Sequence, residues 1–122
     1  MYMKSIMQKA SYDEQSDVLT LYNEHAKVEQ SIEVSEEMII DIDAKGHIVN
    51  IELLDAYEFL HALNSSISKK ILKELTEVEM LFKQFRNYWM IYIAFTDKGK
   101  RIEEKLPVFA KADFQSPLLA SA

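Results

Sequence analysis

Residues 38–53 constrain the fold more than any other part of this chain. Apolar and polar residues alternate on both sides of the tetrad Asp43-Ala44-Lys45-Gly46. Alternation with a period of two is typical of a half-buried strand, so the segment predicts a β-hairpin. A four-residue loop would be built around a type I turn, with Gly46 in the left-handed conformation that ends it. This register places one apolar set on a single face: Met38, Ile40, Ile42, Val49, Ile51 and Leu53.

The remaining segments predict an α+β fold, in which an antiparallel β-meander, a central helix of one or two segments and a second antiparallel β-meander follow one another. Residues 18–22 and 28–34 are β-prone and precede the hairpin. After it, Asp55 is expected to cap a helix, with Glu58 at the capping-box position. An apolar residue then recurs every three or four positions as far as Leu75, and residues 64–66 leave open whether one helix or two are formed.

Three more strands are expected in residues 78–85, 88–95 and 100–106, with Asp97-Lys98-Gly99 as the last turn. A four-residue loop there would pair Ile93 with Ile102, but it would also set Ile91 opposite Glu104. The register of this second hairpin therefore stays open.

Composition bounds the class of protein. The 122 residues predict one domain, with a β-meander and the start of a helix in residues 10–61 and the rest of the helix and the C-terminal hairpin region in residues 62–122. The absence of cysteine excludes disulfides, thiolate metal sites and a cysteine nucleophile. The N-terminus lacks the apolar stretch of a signal peptide and the longest apolar run has eight residues, so we expect a cytoplasmic protein without a membrane span.

Charge is unevenly distributed along the chain. Residues 1–61 hold four Lys/Arg and thirteen Asp/Glu, a net charge of −9, whereas residues 62–122 hold ten and seven, a net charge of +3. The acidic first half argues against a nucleic-acid surface there. Two solvent-exposed faces of different net charge explain the asymmetry more simply than electrostatic pairing of the acidic half with the basic half, within one chain or between chains.

Candidate chemical groups are sparse. Asp41, Asp43 and His47 lie around the first hairpin and could ligate a metal ion or share acid–base work. The four-residue register, however, places His47 on the face opposite the two aspartates. This favours a simpler interpretation, in which the aspartates stabilise the turn and lie on a solvated strand face. His25 and His61 are isolated, and the two glycines both lie in hairpin turns. We therefore assign no catalytic, cofactor-binding or metal-binding residue, and we do not expect an enzyme.

A family resemblance is carried by several short motifs. They are Ser11-Tyr12-Asp13-Glu14, Asp17-Val18-Leu19, Ile32-Glu33-Val34, Met38-Ile39-Ile40-Asp41-Ile42-Asp43, Gly46-His47-Ile48-Val49 and Ile51-Glu52-Leu53-Leu54-Asp55-Ala56. Together they resemble the domain of unknown function 2283 family over residues 10–60. This chain departs from the family's frequent glycine at Asn50, and its C-terminal half has no counterpart. The resemblance implies a small β-meander followed by a helix, and no established activity comes with it. Some members lie beside small toxin-like proteins, which implies an antitoxin-like binding role.

Residues 89–95 are apolar on both faces, and a strand of this kind needs cover on both sides. The favoured hypothesis is therefore a non-enzymatic interaction module that self-associates, as a homodimer, and that could also bind a small protein partner. Residues 82–89 mix aromatic and cationic side chains, so nucleic-acid binding through the C-terminal half is the alternative. A metal or acid–base enzyme at the first hairpin is the least favoured. The predicted interaction surface consists of Lys83, Arg86, Tyr88, Trp89, Phe114, Leu118 and Leu119.

Overall fold

The structure is a computed structural model that describes residues 3–85, 88–106 and 109–110. In this part of the chain, nine strands form one sheet in which every pairing is antiparallel, together with two short helices. The elements are β1 (Lys4–Asp13), β2 (Val18–Tyr22), β3 (Gln30–Ser35), β4 (Met38–Ile42), β5 (Ile48–Leu54), α1 (Ala56–Leu63), α2 (Lys69–Glu74), β6 (Glu77–Gln84), β7 (Tyr88–Asp97), β8 (Lys100–Lys105) and β9 (Phe109–Ala110).

Strand β1 joins the two halves of the sheet. The strand order is β3-β4-β5-β2-β1-β6-β7-β8, and β9 pairs with β7. Residues 4–13 were not predicted to form a strand, so the expectation of two separate meanders was wrong, although the α+β class is correct. One continuous sheet forms because β1 hydrogen-bonds to β2 along one edge and to β6 along the other.

The first hairpin forms as predicted, but its register differs. Asp43 N–H donates to the His47 carbonyl at 3.0 Å and Gly46 N–H donates to the Asp43 carbonyl at 3.0 Å, so the loop has three residues. Gly46 has the expected positive φ of 80°. The pairing shifts between Asp41 and Ile42, which leaves Val49 as an extra, bulged residue. Because the bulge shifts the alternation of β5 by one residue, Ile48 faces the core and is buried where Val49 was expected.

The second hairpin closes with a two-residue loop. Asp97 pairs with Lys100 and Phe95 pairs with Ile102, so the four-residue register is wrong. Lys98 and Gly99 have φ values of 51° and 76°. Positive φ values at both central residues define a type I′ turn, and the twist of this turn matches that of the flanking strands.

The helical region contains two helices, which settles the alternative that the sequence left open. Asp55 precedes α1 but has a positive φ of 50° and makes no side-chain cap, so its predicted role was wrong. Asp17 acts in its place: its backbone carbonyl accepts from Ala56 N–H and its Oδ1 accepts from Tyr57 N–H, each at 2.9 Å. Ser68 caps α2 by accepting from Ile71 N–H.

One core lies between the inner face of the sheet and the helices. Buried residues of β2, β4, β5, β6 and β7 form a single cluster with Leu60, Ile67 and Leu72 of the helical region. Within the described residues, neither helix has the length and apolar character needed to cross a bilayer.

Candidate interaction surface

The predicted interaction residues occupy different environments. Lys83 and Tyr88 are half-buried, and the Lys83 ammonium lies 5.1 Å from the centre of the Phe85 ring, which stacks on Tyr88. Trp89 is only 5% exposed. Its ring therefore belongs to the core and does not contribute to a surface in this conformation. The other four predicted residues lie outside the described part of the chain: Arg86, Phe114, Leu118 and Leu119.

An apolar patch lies on the outer face of β1, β6 and β7, and we call it the outer patch. Its members are Met7, Leu81, Met90 and Tyr92. Leu81 of β6 lies directly opposite Tyr92 of β7. Two residues further along the same strands, Lys83 lies opposite Met90. Met7 of β1 lies opposite Glu79, two residues before Leu81 on β6, and is 63% exposed. The other three side chains are half-buried.

Charges of both signs border the outer patch. The Glu79 carboxylate accepts from the Ser5 hydroxyl at 2.6 Å and from the Arg101 guanidinium at 2.9 Å. These two donors hold the pKa of Glu79 below its usual range, the serine hydrogen bond being the larger cause. Lys105 and Glu103 continue the border along β8, where their Cα partners are Tyr92 and Ala94. The centre of this face is thus apolar and its rim is charged.

Strand β7 has apolar side chains on both faces, as predicted from residues 89–95, whereas the second predicted cover is not found among the described residues. Ile91 and Ile93 face the core, while Met90 and Tyr92 face outward. Within the described residues the helices cover only the inner face, so the outward side of β7 has no cover there. Sequence reasoning missed Met7 and Leu81 because their role depends on β1 pairing with β6. The signal for Leu81 was the alternation of residues 78–85.

Three residues of the motifs that carry the family resemblance, Tyr12, Asp17 and Ala56, meet Tyr57 in one cluster that we call the structural lock. The Tyr12 hydroxyl donates to Asp17 Oδ1 at 2.6 Å, and the same oxygen accepts from Tyr57 N–H. Burial and then this hydrogen bond raise the pKa of Tyr12 above its ordinary value. Asp17 has a positive φ of 55°. The motif residues therefore tie the β1–β2 turn to the start of α1, and their arrangement is structural.

The first hairpin holds its carboxylates in turn and cross-strand contacts. Asp43 Oδ1 accepts from the backbone N–H groups of Lys45 and His47, each at 2.9 Å, and these bonds lower the pKa of Asp43, that of His47 being the larger cause. Asp41 accepts from Ser31 and Asn50 instead. The expectation that His47 faces away from Asp43 was wrong, because His47 Nδ1 lies 3.8 Å from Asp43 Oδ2. No group of three potential metal ligands occurs among the described residues.

The other two histidines lie in different elements of the fold. His25 is exposed in the β2–β3 connection. His61 Nδ1 lies 2.9 Å from the Ile67 carbonyl, and its ring stacks on Tyr57 at 5.0 Å between centres. These contacts fix α1 against the segment that follows it.

Comparison with known proteins locates the family-like part of the chain. Residues 9–56 match the model of a family described as a protein of unknown function (DUF2283), which confirms the resemblance over this segment. An uncharacterized protein of Methanocaldococcus jannaschii is 31% identical over 65 residues, which cover 53% of this chain and 55% of that protein. The chain thus spans about half the length of this relative. No solved structure gives a match.

The match and the outer patch occupy different parts of the sheet. Residues 9–56 contain three residues of the structural lock, Tyr12, Asp17 and Ala56, and strands β2 to β5. Every member of the outer patch lies before or after this segment. The C-terminal half, which the family model does not match, therefore supplies three of the four residues of the outer patch.

Proposed function

We propose that this protein is a non-enzymatic interaction module that self-associates through the outer patch. The supporting observation is that Leu81, Met90 and Tyr92 lie on neighbouring strands of one face, with Met7 diagonal to Leu81 across the β1–β6 pairing. Exposed apolar side chains that are scattered singly need no explanation, but a contiguous patch with a charged rim is typical of a protein–protein interface.

A second copy of this chain is the occupant that the rim favours. A two-fold axis brings the same patch of both copies together, so each charge on the rim needs an opposite charge on that same rim. Arg101 and Lys105 provide positive charge beside Glu79 and Glu103. Both signs of charge are thus present on one rim, where Arg101 already pairs with Glu79 and Glu103 of its own chain, and this supports contact between like surfaces over a partner of a single charge.

Substituting Met7 tests the proposal without disturbing the core, because the side chain is 63% exposed. Fully burying a methionine side chain contributes about 1.5–3 kcal/mol. In a two-fold interface each substitution occurs in both copies, so its effect on the binding free energy is doubled. Because Met7 is already partly buried, the loss is about 1 kcal/mol per copy at the lower end, so Met7→Glu should raise the dimer dissociation constant by at least about twentyfold, since about 1.4 kcal/mol corresponds to a factor of ten. Sedimentation velocity over a range of protein concentrations measures this constant.

Val28→Glu and Leu63→Glu are matched controls, since these side chains are 47% and 41% exposed and lie away from the outer patch. Both variants should dimerise as the unmodified protein does. A monomer at about 200 µM of the unmodified chain, well above the micromolar range of ordinary complexes, would contradict the proposal. So would dimerisation that survives Met7→Glu and Tyr92→Glu together.

Two other occupants are outcomes of the same experiment, and both would contradict self-association. One is the apolar C-terminal segment with Phe114, Leu118 and Leu119. If it covers the patch, the chain stays monomeric and Leu118→Glu increases hydrogen exchange at Leu81. The other is a small foreign protein, as in the antitoxin-like role. In that case the purified chain is monomeric and Leu118→Glu leaves the exchange at Leu81 unchanged.

A further inference from the structure

A second surface brings lysines together from three distant parts of the chain. Lys4 at the start of β1, Lys45 in the β4–β5 turn and Lys83 near the end of β6 line one cleft of about 410 Å³. His47, Phe82 and Gln84 complete the lining. The cleft forms because β1 pairs with β6, with Lys4 opposite Phe82, and because the β4–β5 turn lies beside Gln84.

The three ammonium groups lie outside the ion pairs of the described residues, although the Asp43 carboxylate still attracts that of Lys45. Within the described residues, none of them forms an ion pair, whereas Lys9, Lys73 and Arg101 each do. No carboxylate lines the cleft. Three lysines thus line one cleft of a protein whose net charge is −6, and the Asp43 carboxylate is close to one of them.

Two of the ammonium groups are placed against aromatic rings. Lys4 Nζ lies 6.0 Å from the centre of the Phe82 ring, and Lys83 Nζ lies 5.1 Å from that of Phe85. Attraction between a cation and a ring face restricts where a flexible lysine points. Of the two rings only Phe82 lines the cleft, so it is the Lys4 ammonium that is partly oriented there before any ligand arrives, which lowers the entropic cost of binding.

We infer that this cleft binds a small polyphosphate anion, such as the phosphate chain of a nucleoside diphosphate or triphosphate. Its volume falls in the range of about 300–1,000 Å³ that is usual for small-molecule sites. Three lysines match the charge of two or three linked phosphates, and lysine binds phosphate as a point charge. Single-stranded nucleic acid fits less well, because it needs rings on which successive bases stack and Phe82 is only 3% exposed.

Calorimetric titration with inorganic triphosphate tests the inference on the full chain. The salt concentration is kept at about 50 mM, because lysine–phosphate contacts are stronger there than at physiological salt. Lys4→Gln, Lys45→Gln and Lys83→Gln should each weaken binding by about tenfold, because each removes one charge-assisted contact. Lys27→Gln, Lys70→Gln and Lys100→Gln are controls that alter the net charge equally on exposed sites outside the cleft. These should change the affinity by less than about twofold.

Three results would overturn the inference. One is the absence of measurable binding of triphosphate to the unmodified protein. Another is equal weakening by the control and cleft variants, which shows diffuse attraction rather than a site. The third is tighter binding of a single-stranded oligonucleotide that depends on the same three lysines, which assigns the cleft to nucleic acid. Unchanged melting temperatures of the variants show that any loss of binding does not come from unfolding.

Discussion

Replacing Asp17 removes the acceptor at the centre of the structural lock. Its Oδ1 receives the Tyr12 hydroxyl at 2.6 Å and the Tyr57 N–H at 2.9 Å, and its backbone adopts a φ of 55°. Each hydrogen bond to a charged group contributes about 1.5–3 kcal/mol, so the loss of both costs about 3 kcal/mol at the lower end. An alanine in the left-handed region costs about 1 kcal/mol more. Asp17→Ala should therefore destabilise the protein by about 4 kcal/mol.

Two other substitutions at Asp17 separate these contributions. Asp17→Gly loses both hydrogen bonds but tolerates the positive φ, so it should cost about 3 kcal/mol. Asp17→Asn keeps a side-chain acceptor and also tolerates the left-handed conformation, so it should cost about 1 kcal/mol. Ser16→Ala, at an exposed position in the same turn, is the control and should change little.

Urea denaturation followed by circular dichroism measures these free energies of unfolding. For 122 residues, a loss of about 4 kcal/mol corresponds to a melting temperature lower by about 15 °C. A loss below about 1 kcal/mol for Asp17→Ala would refute the lock as a stabilising element. Equal losses for alanine and glycine would refute the contribution assigned to backbone strain.

Three further changes test other parts of the fold by the same denaturation assay. The raised pKa of Tyr12 means that the unfolded chain loses this proton first, so stability should fall as pH rises above about 10, and Tyr12→Phe should remove that part of the pH dependence. Lys98→Asn should stabilise the protein by about 0.5–1 kcal/mol, because asparagine tolerates the positive φ at this turn; an unchanged or lower denaturation midpoint would contradict this. Gln8 is 1% exposed and its amide donates to the Val49 carbonyl at 2.7 Å, so Gln8→Ala should cost about 2–3 kcal/mol by leaving a cavity and an unpaired acceptor, and a cost within about 0.5 kcal/mol of zero would argue against that contact.

Local sequence patterns determined most of the strands and the positions of the turns. Alternation over residues 38–53 placed the first hairpin, and the positive φ of Gly46 follows from its position in the turn. These features depend on neighbours in the chain, since the side-chain period of a strand and the conformational freedom of glycine are local properties. The family resemblance over residues 10–60 depends on the same local motifs and was confirmed.

Tertiary structure decided the features that depend on distant partners. Strand β1 has a weak pattern because buried Gln8 and exposed Met7 interrupt it, yet pairing with β2 and β6 places it at the centre of the sheet. Asp17 caps α1 from 40 residues away, a role that the local signal had assigned to Asp55.

The same reason applies to both candidate surfaces. The outer patch needs β1 beside β6, and the lysine cleft needs the β4–β5 turn beside the end of β6. Sequence patterns recorded which residues are apolar or charged, whereas the pairing of strands far apart in the chain decided which of them share a surface. Long-range pairing depends on burying side chains from the whole chain in one core, and no local window contains that information.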